Sequence, residues 1–178
     1  MNRCRAYNRS ISLALPGLAI LLLTSCSSYY LTNMASHGES LALQGRYQEA
    51  LVEFNRVINL EPRYTEAYLG RGYVYQQEGA YQKAINDFSA AIKLRPNDPA
   101  AYRFRGLAYE LVGDLTLALN DFDKATQLDP NNAEGFLYKA EVQAKMGLTP
   151  QSIASYQSAA RLGSTDAQQY LAQKNIAW

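Results

Sequence analysis

The stretch Tyr68-Leu-Gly-Arg-Gly-Tyr-Val-Tyr75 returns 34 residues later as Tyr102-Arg-Phe-Arg-Gly-Leu-Ala-Tyr109. Working outward, the same interval separates Gly45, Gly79, Gly113 and Gly147, and it carries Ala84, Phe88 and Ala91 onto Ala118, Phe122 and Ala125. A fixed period of this length means stacked supersecondary units, each too small to bury its own apolar face. Within a period, apolar and small residues recur at helical spacing and breakers divide the unit in two. In the second unit this predicts one helix over 66–78, ended by Gly79 in the left-handed conformation, and another over 81–94 with Pro96 just beyond. Asp98-Pro99 opens the third unit as an N-cap followed by proline at the first helical position, and Thr149-Pro150 is read the same way for the second helix of unit four.

Four units follow without insertion: 31–64, 65–98, 99–132 and 133–166. A solitary capping helix over about 167–175 is expected after them, with Ser164, Thr165 and Asp166 at its start, Tyr170 and Leu171 facing inward, and Trp178 folding back on it. The pattern resembles the tetratricopeptide repeat (TPR), residue by residue. The first helix carries an aromatic at Tyr68, Tyr102 or Phe136 and a small residue at Gly38, Gly72, Gly106 or Ala140. The second carries Ala50, Ala84 or Ala118, then an aromatic at Phe54, Phe88, Phe122 or Tyr156. Unit four departs with Gln143, Ser152 and Ser164 where its neighbours have an aromatic, alanine and proline. The resemblance implies an all-α fold: a right-handed α-solenoid of four TPR helix-turn-helix units plus a C-terminal capping helix.

The N-terminus has a different character. Arg3, Arg5 and Arg9 precede an apolar run over 11–23, interrupted by Pro16 and Gly17. A spanning helix needs ~20 apolar residues, so this reads as the hydrophobic part of an export signal over 1–25. Leu23-Thr24-Ser25-Cys26 resembles the lipobox of bacterial lipoproteins, in which the cysteine thiol receives a diacylglycerol and becomes the first mature residue. That implies lipidation of Cys26, a short linker over 27–30, and attachment to the membrane through the lipid. Ser27 rather than aspartate after the cysteine implies the outer membrane, facing the periplasm, by the sorting rule of enterobacterial lipoproteins.

Composition excludes other classes. The chain carries 17 basic and 16 acidic side chains, and its first 25 residues contribute three arginines and no acid. The remainder is therefore slightly acidic, which argues against nucleic acid as a partner. Outside the N-terminal segment there is one histidine, His37, and no cysteine, so no metal site of those ligands is expected. His37 falls on a packing position and is read as a partly buried structural histidine. No phosphate-binding glycine loop or nucleophile–base pairing is visible, no cofactor is implied, and the chain is read as no enzyme. The carboxylates Glu110 with Asp114, and Asp121 with Asp123, are read as solvated charge.

In TPR proteins the first helices line a concave ligand face. Carried onto this chain, the resemblance implies a partner-binding groove of Glu66, Leu69, Tyr73, Gln76, Arg103, Leu107, Glu110, Glu134, Leu137 and Glu141. Leu69, Tyr73, Leu107 and Leu137 would form an apolar strip rimmed by acids and one arginine; the same side chains could instead pack between neighbouring helices. Some TPR proteins grip an acidic C-terminal tail with Lys and Asn on successive helices. Here those places hold Ala35, Glu39, Leu69 and Tyr73, so an apolar or basic segment is the expected ligand. The resulting expectation is a lipid-anchored scaffold binding a protein or peptide in the cell envelope. Such layouts serve pilus assembly, secretion or recruitment of peptidoglycan enzymes. The alternative is a self-associating structural lipoprotein, a homo-oligomer.

Overall fold

A computed structural model of the chain describes residues 16–178, with side chains from Tyr29 onward. The expected signal segment before residue 16 and the side chain of Cys26 lie outside the described residues. Nine helices and no strand occur among the described residues. They are α1 (Pro16–Leu43), α2 (Tyr47–Leu60), α3 (Thr65–Gln77), α4 (Tyr81–Leu94), α5 (Pro99–Leu111), α6 (Leu115–Leu128), α7 (Ala133–Lys145), α8 (Thr149–Arg161) and α9 (Thr165–Gln173). The chain divides into two compact units, Met1–Pro62 and Arg63–Trp178.

The first unit is the pair α1–α2. Met34, Ala35, Leu41 and Ala42 of α1 are buried, as are Ala50, Phe54 and Val57 of α2. Gly38 sits over the Phe54 ring, where a Cβ would come within 3.0 Å of it. Residues 27–30, expected as a linker, are helical and continuous with α1. Tyr29 and Tyr30 are exposed on it, and no helix among the described residues is long and apolar enough to cross a membrane. His37 is also exposed, not partly buried as its register suggested. At the same register, Arg71 and Arg105 bond to aspartates on the following helix; the first unit offers Glu53 there.

The second unit stacks three further pairs, α3–α4, α5–α6 and α7–α8, and ends in α9. The first two of these pairs are closed by the same device. Gly72 and Gly106 let the rings of Phe88 and Phe122 approach the backbone, and both rings are fully buried. Each ring then meets an aromatic of the next pair: Phe88 stacks on Phe104 at 5.7 Å, and Phe122 lies 5.8 Å from Tyr138. At the end Tyr156 stacks on Tyr170 of α9 at 4.0 Å, and Leu171 is fully buried beside it. Gly79, Gly113 and Gly147 adopt φ between 75° and 86°, the left-handed turn that ends each first helix.

Local signals placed the ends well. Asp98 accepts from the Ala100 amide, and Ser164 from Ala167, as expected. Thr149 does not cap α8: Leu148 holds the N-cap without a side-chain bond, Thr149 is the first helical residue, and Pro150 follows in the first turn. Trp178, expected to fold back on the cap, is the last residue after α9. It is 47% exposed, and Ile176 packs against the Tyr156–Leu171 cluster. The chain end is tied by Gln157 Nε2, which donates to the Ala177 carbonyl at 2.6 Å.

A buried polar ladder joins the two helices of successive pairs. Arg71 donates through Nε and Nη2 to Asp87 at 2.8 and 2.7 Å, and Arg105 repeats this with Asp121 at 2.7 and 2.8 Å. Arg71 lies near the rings of Tyr68 and Tyr75, and Arg105 near Tyr102 and Tyr109. These hydrogen bonds hold both guanidinium pKa values above the ordinary arginine value. Asp121 is thus buried and paired rather than solvated, because a carboxylate taken from water needs a geometrically matched cation. Asp123 pairs with Lys139, Glu110 with Lys145, and Asp114 caps α6. In the α7–α8 pair three members of the set change together, to Lys139, Gln143 and Ser155. There the buried Ser155 hydroxyl donates to Gln143 Oε1 at 2.7 Å.

Candidate protein-binding face

The first helices of successive pairs, α3, α5 and α7, touch one another, whereas α4, α6 and α8 touch chiefly the first helices beside them. The first helices therefore form the inner side of the second unit. All ten expected groove residues belong to these three helices.

The apolar strip is half-buried rather than exposed. Leu69 packs against the cluster of Ala84, Ile85, Phe88 and Ala108, and Leu107 against Ala118, Phe122 and Val142. Leu137 packs against Ala140, Tyr156 and Leu171. Tyr73 is half-buried as well. These residues serve the core with one side and present an edge to the face. Burying that edge further would supply about 25 cal/mol per Å² of apolar area.

The polar rim is largely paired. Glu66 bonds Arg95 at 2.6 Å within the α3–α4 pair. Arg103 donates to Glu134 at 2.6 Å, and Lys145 to Glu110, so two ion pairs tie α5 to α7 across the face. Arg103 also lies 5.0 Å above the Phe104 ring. Gln76 Oε1 is buried without a hydrogen-bond partner among the described residues. Glu141 is half-buried, and burial first, then the nearby Glu110, raises its pKa against the pull of Lys145, with Asp166 adding to the rise.

The face also holds a cleft that the sequence did not lead us to expect. A space of about 180 Å³ opens between the start of α5, the end of α6 and the start of α7, lined by Pro99, Ala100, Arg103, Ala125, Asp129 and Gly135, with Asn132 at its edge. Comparing residues one period apart would have marked it: Ala100 and Asp129 stand where the preceding repeat has Glu66 and Arg95. The Arg–Asp ladder carries the same signal, since both partners recur at the period. No group of His, Cys, Asp and Glu suited to a metal ion occurs among the described residues.

Comparisons with known proteins agree with this geometry. A TPR-repeat family model matches residues 38–79, and two tetratricopeptide-repeat models match 65–98 and 99–132, together more than half of the chain. No curated protein matches the sequence. Among solved structures, a MamA fragment from Desulfovibrio magneticus RS-1 superposes with a TM-score of 0.68 at 24% identity, covering 74% of this chain and 75% of that one. TTC0263, a thermophilic TPR protein of Thermus thermophilus, gives 0.69 at 24% identity over 80% of each chain. The first TPR of Spaghetti (RPAP3), bound to the HSP90 peptide SRMEEVD, gives 0.63 at 22% identity, covering 66% of this chain and 93% of that one. At these identities the likeness carries the fold. With the period, the glycine–aromatic closures and the family models in agreement, this chain belongs to the tetratricopeptide-repeat family.

Proposed function

We propose that this protein is a lipid-anchored scaffold that holds a protein or peptide partner in the cell envelope on the inner face of α3, α5 and α7. The observation that supports the binding role most directly is the row of half-exposed Leu69, Leu107 and Leu137 edges, rimmed by charge. A dry centre with a polar rim is what a docked segment requires. The RPAP3 neighbour is bound to an HSP90 peptide ending in EEVD. This face carries Leu69 and Tyr73 at the tail-gripping places, along with Glu66, Glu110, Glu134 and Glu141, so an apolar or basic segment fits better than an acidic tail. The envelope address rests on the lipobox ending at Cys26 and on Ser27, which favours the outer membrane facing the periplasm. Pilus assembly, secretion or recruitment of peptidoglycan enzymes are the settings that suit such a protein.

The experiment is crosslinking of the native protein in membranes, with mass-spectrometric identification of partners, for wild type and Tyr73→Ala. A partner captured by wild type and lost in the variant is expected. Identical capture profiles from both would refute the face. For the anchor, Cys26→Ala abolishes incorporation of a fatty-acid label; labelling that persists removes the lipid from the proposal.

A second reading, self-association, is favoured by Leu111, Val112 and Leu117, which are 51%, 48% and 40% exposed around the Gly113 turn. The preceding repeat has Gln77, Glu78 and Lys83 there. Sedimentation of the full chain in detergent separates the readings: a monomer at high concentration disposes of self-association.

A further inference from the structure

The cleft beside α5 exists because one ion pair of the repeat has been dismantled. In the α3–α4 pair, Glu66 at the start of the first helix reaches Arg95 at the end of the second, and the two side chains span the gap. One period later Glu66 becomes Ala100 and Arg95 becomes Asp129. The bridge is gone, the gap is open, and a carboxylate stands where a guanidinium stood. Further along the face, Leu69 becomes Arg103, whose Nη1 is already committed to Glu134 at 2.6 Å.

The charge balance is therefore unequal. Arg103 and Glu134 offset one another, while Asp129 has no cation partner among the described residues. Its Oδ1 receives only the Asn131 amide, at 3.3 Å. The rest of the lining is Pro99, Ala100, Ala125 and Gly135, with Asn132, whose Oδ1 accepts from the Gly135 amide. A space of about 180 Å³ lies below the ~300 Å³ at which small-molecule pockets begin, and it suits one side chain. Apolar side chains beside a lone carboxylate complement a long alkyl stem with a positive tip.

We propose that the cleft between α5, α6 and α7 is a side-chain pocket that receives one lysine or arginine of the bound partner segment, its stem against Pro99, Ala100 and Ala125 and its cationic tip on Asp129. This rests on the reading of the α3–α5–α7 face as a binding surface and adds a position of defined chemistry to it. The incoming residue restores an ion pair at this place with the charges reversed: Asp129 stands where Arg95 stands in the preceding repeat, and the partner's cation takes the place of Glu66.

The test pans phage-displayed random peptides on the immobilised full chain and measures the selected sequences as synthetic peptides. Wild type is expected to select sequences with a lysine or arginine at one fixed place in an apolar consensus. Replacing that residue by norleucine, which keeps the stem and removes the charge, should weaken binding about tenfold, a difference of about 1.4 kcal/mol. Asp129→Asn should abolish that difference while preserving the shape of the cleft. Ala100→Glu with Asp129→Arg rebuilds the preceding repeat's ion pair, and should bind the parent and norleucine peptides equally. Selected peptides with no fixed basic position, or an equal norleucine penalty with Asp129→Asn, would overturn the pocket and leave the face standing. No enrichment of any sequence would overturn the face, and the pocket with it.

Discussion

Replacing Gly72 by alanine sets two known effects against each other in one side chain. Helix propensity favours alanine over glycine by about 1 kcal/mol in a helix interior. The added Cβ, however, would stand 2.6 Å from Phe88 Cε1 and 2.9 Å from Cδ1. The ring has nowhere to retreat, since it is fully buried and stacked on Phe104. Overpacking of this kind costs about 1–3 kcal/mol. The net expectation is a loss of about 1 kcal/mol, with 2 as the upper end, or a fall in Tm of about 2–4 °C per kcal/mol for a chain of this size. The closures are graded, because the nearest approach is 2.9 Å at Gly106 and 3.0 Å at Gly38. The loss should shrink in that order and come close to zero at Gly38. Guanidinium midpoints followed by helix signal, compared at constant m, read the series. Phe88→Leu should cost less in the Gly72→Ala background than in wild type, because it removes the clash as well as the ring. If all three glycine variants instead gained about 1 kcal/mol alike, the close packing of ring on backbone would be refuted and propensity alone would govern these sites.

Further expectations come from the buried charges and the cap. Asp121→Ala leaves the Arg105 guanidinium without its carboxylate and should cost about 3–5 kcal/mol, whereas removing exposed Glu49, which pairs with exposed Arg46, should leave the midpoint almost unchanged; denaturant midpoints of the two variants decide it. Ser155→Ala strands the buried Gln143 carbonyl and should cost about 1–3 kcal/mol, against little for Ser158→Ala, whose hydroxyl donates only to the Ala154 carbonyl at an exposed site. The Tyr156 phenol is pushed up to about 12 by burial, then by Glu141 and Tyr170. The folded state therefore holds that proton where the unfolded chain has released it, so its contribution is intact below pH 10 and lost as pH rises from about 10 to 12. Tyr156→Phe should flatten that part of the stability–pH profile by an amount of order 2 kcal/mol, and an unchanged slope would contradict the burial.

The division between what sequence and structure decide follows the range of the forces involved. Helix limits lay open in the residues because turns and caps are local. Glycine supplies a left-handed residue at each inner turn, and Asp98 and Ser164 cap their own helices. The small–aromatic closures were also legible, since one constraint repeated along the chain leaves a period. Only the packed helices could decide the state of each charge. Asp121 and Asp123 stand two residues apart on α6, yet one is buried against Arg105 and the other meets Lys139. The adjacent helix dictates which, and no property of the aspartate itself does. The same applies to the leucines of the inner face, divided between core and surface, to the exposed His37, and to Ile176, which packs on the capping cluster. The cleft at Asp129 joins the two levels: two substitutions visible in the repeat remove an ion pair, but only the meeting of α5, α6 and α7 turns that loss into a space. By itself the sequence determined a stack of TPR helix pairs and where most of the helices begin and end, because those depend on neighbours along the chain. The tertiary structure decided which side chains remain available to a partner, because burial and ion pairing depend on neighbours in space.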